Sequence, residues 1–117
     1  MKIVLVSDKN STISIVENLI TKSDELFVIS DGKISVNTVN ENDADLVISD
    51  FQGGEMGGIA VALEVVMEQE MGRCKQTPFL LLLDREVDKF LANRVSCESI
   101  QKPFSIFELK AKIESIC

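Results

Sequence analysis

The sequence predicts a parallel, doubly wound α/β sheet of five strands and five helices, and three observations carry that expectation. Ile3-Val4-Leu5-Val6, Leu26-Phe27-Val28-Ile29, Leu46-Val47-Ile48 and Phe79 to Leu83 are short, continuous apolar runs, the pattern of strands covered on both faces. Segments with apolar residues at helical spacing separate them, and regular alternation of strand and helix calls for crossover connections and a parallel sheet. The runs also end on polar residues, Ser7-Asp8 after the first and Asp50 after the third. In open α/β sheets that carboxyl edge is where ligands and chemistry sit.

Taken in order, the first strand is followed by a helix with Ile13, Val16, Leu19 and Ile20 at helical spacing, and Asn10 or Ser11 is the expected cap. Thr21 to Glu25 is a polar turn before the second strand, which Asp31-Gly32 ends. A second helix is expected over Lys33 to Glu41, although Val, Asn, Thr and Ser are mediocre helix formers. The third strand closes on Asp50 and the glycine-rich Phe51-Gln52-Gly53-Gly54-Glu55-Met56-Gly57-Gly58. A long helix from Ile59 to Met71 is apolar nearly all round, which predicts deep packing. After the fourth strand, Asp84 is expected to cap a helix that uses Val87, Phe90, Leu91 and Val95. Ser99-Ile100-Gln101 reads as a short fifth strand leading into Lys102-Pro103-Phe104. Ser105 and Glu108 have capping-box spacing, and the last helix presents Phe107, Leu109, Ile113 and Ile116. The flavodoxin-like strand order 2-1-3-4-5 puts Asp8 and Asp50 on adjacent strand ends.

With 117 residues the chain suits one domain, 1–117. It is 45% hydrophobic and 26% charged, a globular balance. Its net charge of −7 and lack of a basic stretch argue against nucleic acid and anionic membranes as partners. No apolar run is long enough to span a bilayer, and Met1 to Val4 starts a strand rather than a signal peptide. Cys74, Cys97 and Cys117 are odd in number and widely spaced, so the default setting is a reducing cytoplasm. The absence of histidine removes Ser-His and Cys-His nucleophile pairs.

What remains is carboxylate, lysine and hydroxyl chemistry. Two carboxylates held close repel unless a proton or cation intervenes. With no imidazole to hand, the natural occupant is a hard cation on oxygen ligands, Mg²⁺ with several waters. Lys102 brings a positive charge to the same edge, and a cation, a lysine and a carboxylate suit phosphoryl transfer. Asp50 would then be the nucleophile. The plainer alternative is that these aspartates cap helices or face solvent and that Lys-Pro only makes a turn.

The blocks Lys2 to Asp8, Asp45 to Gly58, Pro78 to Leu83 and Gln101-Lys102-Pro103-Phe104 together resemble the receiver domain of bacterial two-component response regulators, over essentially the whole chain. Asp50, Met56 and Gly58 keep that family's spacing. The resemblance implies that Asp50 is the phosphoacceptor, Asp8 a Mg²⁺ ligand, the Gln52 backbone carbonyl another, and Lys102 a contact to the phosphoryl oxygens. It also implies a cis Lys102-Pro103 bond. Its implied partners are a histidine kinase or phosphotransfer protein upstream, and a protein docked on the face of helix 4, strand 5 and helix 5 downstream. Enzymatic activity would be at most self-phosphorylation from a phosphodonor and autodephosphorylation. The chain ends after its fifth helix, so no output domain is expected.

Several positions depart from the family. Ser7 stands in place of a first acidic residue and can hold only a metal-bound water. Leu83 stands where a Thr or Ser hydroxyl meets the phosphoryl group, Ser99 where an aromatic swings inward, and Gly54 where a proline is common. Gln52 and Arg85 fall where the family tunes phosphate lifetime. Leu83 also has a bland reading, as an extension of the apolar run into the core. These departures keep open a pseudo-receiver that binds proteins independently of phosphorylation. A flavin binder using Ser7 to Thr12 as a phosphate loop is a third reading, disfavoured by a loop without glycine and a chain without Trp or Tyr.

Overall fold

The computed structural model describes residues 1–30, 35–50, 58–72, 77–94 and 97–117. In chain order these form β1 (Lys2–Val6), α1 (Asn10–Leu19), β2 (Glu25–Ile29), α2 (Ser35–Asn42), β3 (Leu46–Asp50), α3 (Gly58–Glu70), β4 (Phe79–Leu83), α4 (Lys89–Arg94), β5 (Glu98–Gln101) and α5 (Ile106–Ile116). The strands pair in parallel in the order β2-β1-β3-β4-β5. The expected flavodoxin-like order and the expected helices are both present.

Strand alternation sorts the apolar side chains onto two faces. Ile3, Leu5, Leu46, Ile48, Leu80 and Leu82 pack with Val16 of α1 and with Leu109 and Ile113 of α5. Val4, Val6, Val47, Phe79, Leu81 and Leu83 pack on the other side with Val39 of α2, Val65 of α3 and Ala92 of α4. Every residue of β3 and β4 is buried, whereas the edge strands β2 and β5 are only partly covered. The amino end of β3 is pinned to β1 through Asp45. Its carboxylate accepts from the Lys2 amide at 2.8 Å, and its own amide donates to the Lys2 carbonyl at 2.7 Å. That anchorage and the ladder, with Val6 opposite Ser49, bring the residues after β1 level with Asp50.

Several local expectations change. Helix α1 begins at Asn10 with Lys9 at its N-cap and no side-chain capping bond, so neither Asn10 nor Ser11 caps it. Helix α2 starts its described span at Ser35, and Lys33, where it was expected to begin, lies outside the described residues. The described side chains of helix α3 divide between core and solvent. Val65 is buried, but Leu63 and Met67 are exposed, because only one stripe of a helix can meet the sheet. Asp84 precedes a single 3-10 turn at Glu86–Asp88 and the short α4, and its carboxylate is drawn to lysines. The expected capping box of α5 is formed in full by Ser105 and Glu108. Leu109 and Ile113 are its buried residues, while Phe107 is 80% exposed. Among the described residues no helix is long and apolar enough to cross a membrane.

Val95, an expected member of the fourth helix, lies outside the described residues, as does Cys74. Cys97 is buried and Cys117 exposed. Burial pushes the Cys97 thiol up to about 11, which leaves little of the reactive thiolate near neutrality.

Leu80 is fully buried in the central sheet. Leu80→Ala is expected to cost about 2–5 kcal/mol of unfolding free energy, read by chemical denaturation.

Candidate functional site

The carboxyl edge of the sheet gathers four loop entries around one carboxylate. Asp50 ends β3 and has no exposed surface. A buried charge is tolerated only when paired and hydrogen-bonded, and among the described residues three donors meet Asp50. Ser7, directly after β1, donates its hydroxyl to Oδ2. Thr12, in the first turn of α1, donates to Oδ1 at 3.1 Å. Lys102, directly after β5, places Nζ 2.7 Å from the same Oδ1. Ser7 and Thr12 are themselves 2% and 4% exposed, so their hydroxyls have few alternatives to this carboxylate.

Each donor is placed by backbone structure. Ser7 Oγ also accepts from the Lys9 amide at 3.1 Å, and the Ser7 amide donates to the Ile29 carbonyl at 2.9 Å, which fixes the turn out of β1. The Lys102 amide donates to the Leu83 carbonyl at 2.8 Å, continuing the β4–β5 ladder one step past Gln101. The Lys102-Pro103 peptide that follows is cis, as the resemblance implied. Ser49 turns its hydroxyl to the Asp50 carbonyl at 3.0 Å and away from the site.

A second layer of charge lies outside the first. Asp84, just past β4, approaches Lys102 Nζ at 3.5 Å and Lys9 Nζ at 3.7 Å. Lys9, Asp84 and Lys102 thus form a chain of alternating charge from the β1–α1 turn across the end of β4 to β5. Beside it, a cleft of about 210 Å³ is lined by Ser11, Thr12, Ile15, Lys102, Pro103 and Phe104. It shares Thr12 and Lys102 with the carboxylate site.

The expected site residues are therefore distributed as follows. Asp50, Ser7 and Lys102 are in direct contact. Asp8 follows Ser7 and is exposed at the rim. Gln52, Gly54 and Met56 lie outside the described residues. Leu83 is 1% exposed and belongs to the core cluster facing α2, α3 and α4, so its side chain packs as hydrocarbon. Arg85 pairs with Asp88 at 3.0 Å, and that hydrogen bond raises its pKa. Ser99 is half-buried in β5. Thr12 and Asp84 are additions that the strand-end pattern did not show.

The side chains expected to hold a cation, Asp8, Asp50 and Ser7, offer only oxygen, which suits a hard divalent cation better than a transition metal. Among the described residues no group of three or more His, Cys, Asp or Glu side chains converges.

No protein-family model matches the chain. Solved structures that share its architecture are response-regulator receivers. A putative response regulator from Chloroflexus aurantiacus is 19% identical, with a TM-score of 0.84 over 98% of this chain and 95% of that one. The chemotaxis response regulator CheY4 of Vibrio cholerae is 22% identical, with a TM-score of 0.83 over 99% and 98%. The receiver domain of Saccharomyces cerevisiae Ssk1, solved with the histidine phosphotransfer protein Ypd1, is 22% identical with a TM-score of 0.83 over 99% and 88%. The fold of this chain is that of response-regulator receiver domains.

If Lys102 neutralises the buried carboxylate, its loss should leave an unpaired charge at Asp50. Lys102→Met is expected to destabilise the fold by about 1–3 kcal/mol, less than a sealed ion pair because solvent reaches the 24% exposed lysine. In an Asp50→Asn background the same substitution should cost less, a coupling that a double-mutant cycle of denaturation midpoints reads directly.

Proposed function

We propose that the chain is a receiver that accepts a phosphoryl group on Asp50 from a histidine kinase or phosphotransfer protein and signals through a partner surface. The observation that carries this reading is the Asp50 carboxylate at the carboxyl end of a central strand, held 2.7 Å from the Lys102 ammonium. In the reaction a carboxylate oxygen of Asp50 forms a bond to phosphorus as the N–P bond of the donor phosphohistidine breaks, and the imidazole leaves with the bonding pair. Lys102 balances charge on the transferring oxygens, an electrostatic contribution of the kind that dominates phosphoryl transfer. Ser7 and Thr12 hold the carboxylate in place before attack, so little reorientation is needed.

Asp8 and Asp50 are the proposed protein ligands of Mg²⁺, with Ser7 acting through a water and the Gln52 backbone carbonyl completing the set. When bound, the ion would neutralise developing charge on the phosphoryl oxygens. With Ser7 in place of a carboxylate, the site carries one charge fewer, and weak Mg²⁺ affinity is expected.

The proposed readout is the face of α4, β5 and α5. Each of the two helices has an exposed phenylalanine, Phe90 in α4 at 66% and Phe107 in α5 at 80%, and exposed aromatics are favoured at protein interfaces. The co-solved Ypd1 of the yeast relative supports a phosphotransfer protein as the kind of upstream partner.

A second reading, a pseudo-receiver that binds its partner without phosphorylation, is favoured by one observation: Leu83 lies in the core and offers no hydroxyl to a phosphoryl group. The readings part on Asp50→Asn, which leaves partner binding intact in the pseudo-receiver and removes its phosphate dependence in the receiver.

Incubation with acetyl phosphate and Mg²⁺ is expected to add one phosphoryl group by intact mass, and Asp50→Asn to abolish the addition. An unmodified wild-type protein, or a modified Asp50→Asn, would remove Asp50 as the acceptor.

A further inference from the structure

Resting on the phosphoacceptor reading of Asp50, we propose that Asp84 is a positioning residue that competes with incoming phosphoryl oxygens for the Lys102 ammonium and so slows phosphorylation of this chain. Three observations lead there. Asp50 has no exposed surface, while Lys102, directly against it, is 24% exposed, so Lys102 stands between the carboxylate and solvent. Lys102 Nζ lies 2.7 Å from Asp50 and 3.5 Å from Asp84 at once. Lys9 Nζ approaches the same Asp84 oxygen, Oδ1, at 3.7 Å.

An ammonium has three donor positions and no acceptor. Asp50 uses one, and Asp84 engages another. The phosphoryl oxygens of an incoming donor need that ammonium and carry the same sign of charge as Asp84. Like charges converging on one cation oppose each other, so Asp84 hinders the donor both by engaging Lys102 and by repulsion. Lys9 moderates this effect, because its ammonium neutralises part of the Asp84 charge. The Lys9–Asp84–Lys102 chain therefore holds the lysine in its resting position, and transfer requires Lys102 to leave Asp84.

The transfer concerned is balanced and simple. A carboxylate oxygen of Asp50 bonds to the phosphorus of acetyl phosphate, the P–O bond to the acetyl group breaks, and acetate leaves with the electron pair. Asp84 touches none of the reacting atoms and acts only through Lys102.

The test compares initial rates of phosphoryl incorporation from acetyl phosphate with Mg²⁺, by intact mass, for the wild type, Asp84→Asn and Asp84→Glu. Asp84→Asn keeps shape and removes charge, and it is expected to react roughly three- to fivefold faster at low ionic strength, the range of a partly exposed ion pair. The gain should shrink as salt is added, and Asp84→Glu, which keeps the charge, should stay close to the wild type. A purely structural role would not give a rate increase that depends on salt. Asp84→Asn reacting no faster than a phosphorylated wild type would overturn the proposal and leave Asp50 as acceptor. If none of the three proteins gains a phosphoryl group, the acceptor reading falls and this proposal falls with it.

Discussion

A carboxylate with no access to water sits at the end of the central strand, and the geometry of the whole carboxyl edge follows from it. Burying an ion is unfavourable by several kcal/mol unless charge and hydrogen bonds replace its hydration. For Asp50 the replacements come from Ser7, Thr12 and Lys102, which arrive from three different elements. The strand order β2-β1-β3-β4-β5 brings the ends of β1 and β4 to either side of β3, with β5 close enough for Lys102 to reach across. The sheet order and the satisfaction of one side chain are thus the same constraint seen at two scales.

That constraint is also what makes the site chemically interesting. A group held by fixed donors is oriented in advance, and an adjacent ammonium can serve a transferring phosphoryl group as readily as the resting carboxylate. The same donors also cover it, so reactivity depends on how easily Lys102 is released. Asp84 and Lys9 bear on that step from outside. Leu83, by contrast, is committed to the hydrophobic layer under α2, α3 and α4, which ties the end of β4 to the core and leaves its neighbour Asp84 as the polar group there.

Much of this was legible in the sequence because strand ends are legible. Continuous apolar runs marked β1, β2, β3 and β4, the shorter Ser99-Ile100-Gln101 marked β5, and Ser7, Asp50 and Lys102 at the ends of β1, β3 and β5 were residues the fold brought together. Thr12 escaped because a threonine in a first helical turn attracts no notice. Its signal was its place one turn before Val16: the two are the buried residues of α1, and a hydroxyl on a core-facing stripe needs a buried acceptor. Asp84 was read as a helix cap because an aspartate before an apolar-periodic segment usually is one. The pull of two lysines from other strand ends is a long-range effect that local pattern does not encode. The exposure of Phe90 and Phe107 was equally hidden, since amphipathic spacing marks apolar residues without saying which ones a neighbouring element covers.

The central claim is that Asp50, Ser7 and Lys102 form one phosphoryl-responsive centre linked to the end of β4. The most direct measurement is the change in amide chemical shifts when beryllofluoride, a stable phosphoryl mimic, is added with millimolar Mg²⁺. The shifts are expected to concentrate at Ser7 and Asp8, Asp50, Leu83 to Arg85 and Lys102. A spectrum unchanged around Asp50 would contradict the claim.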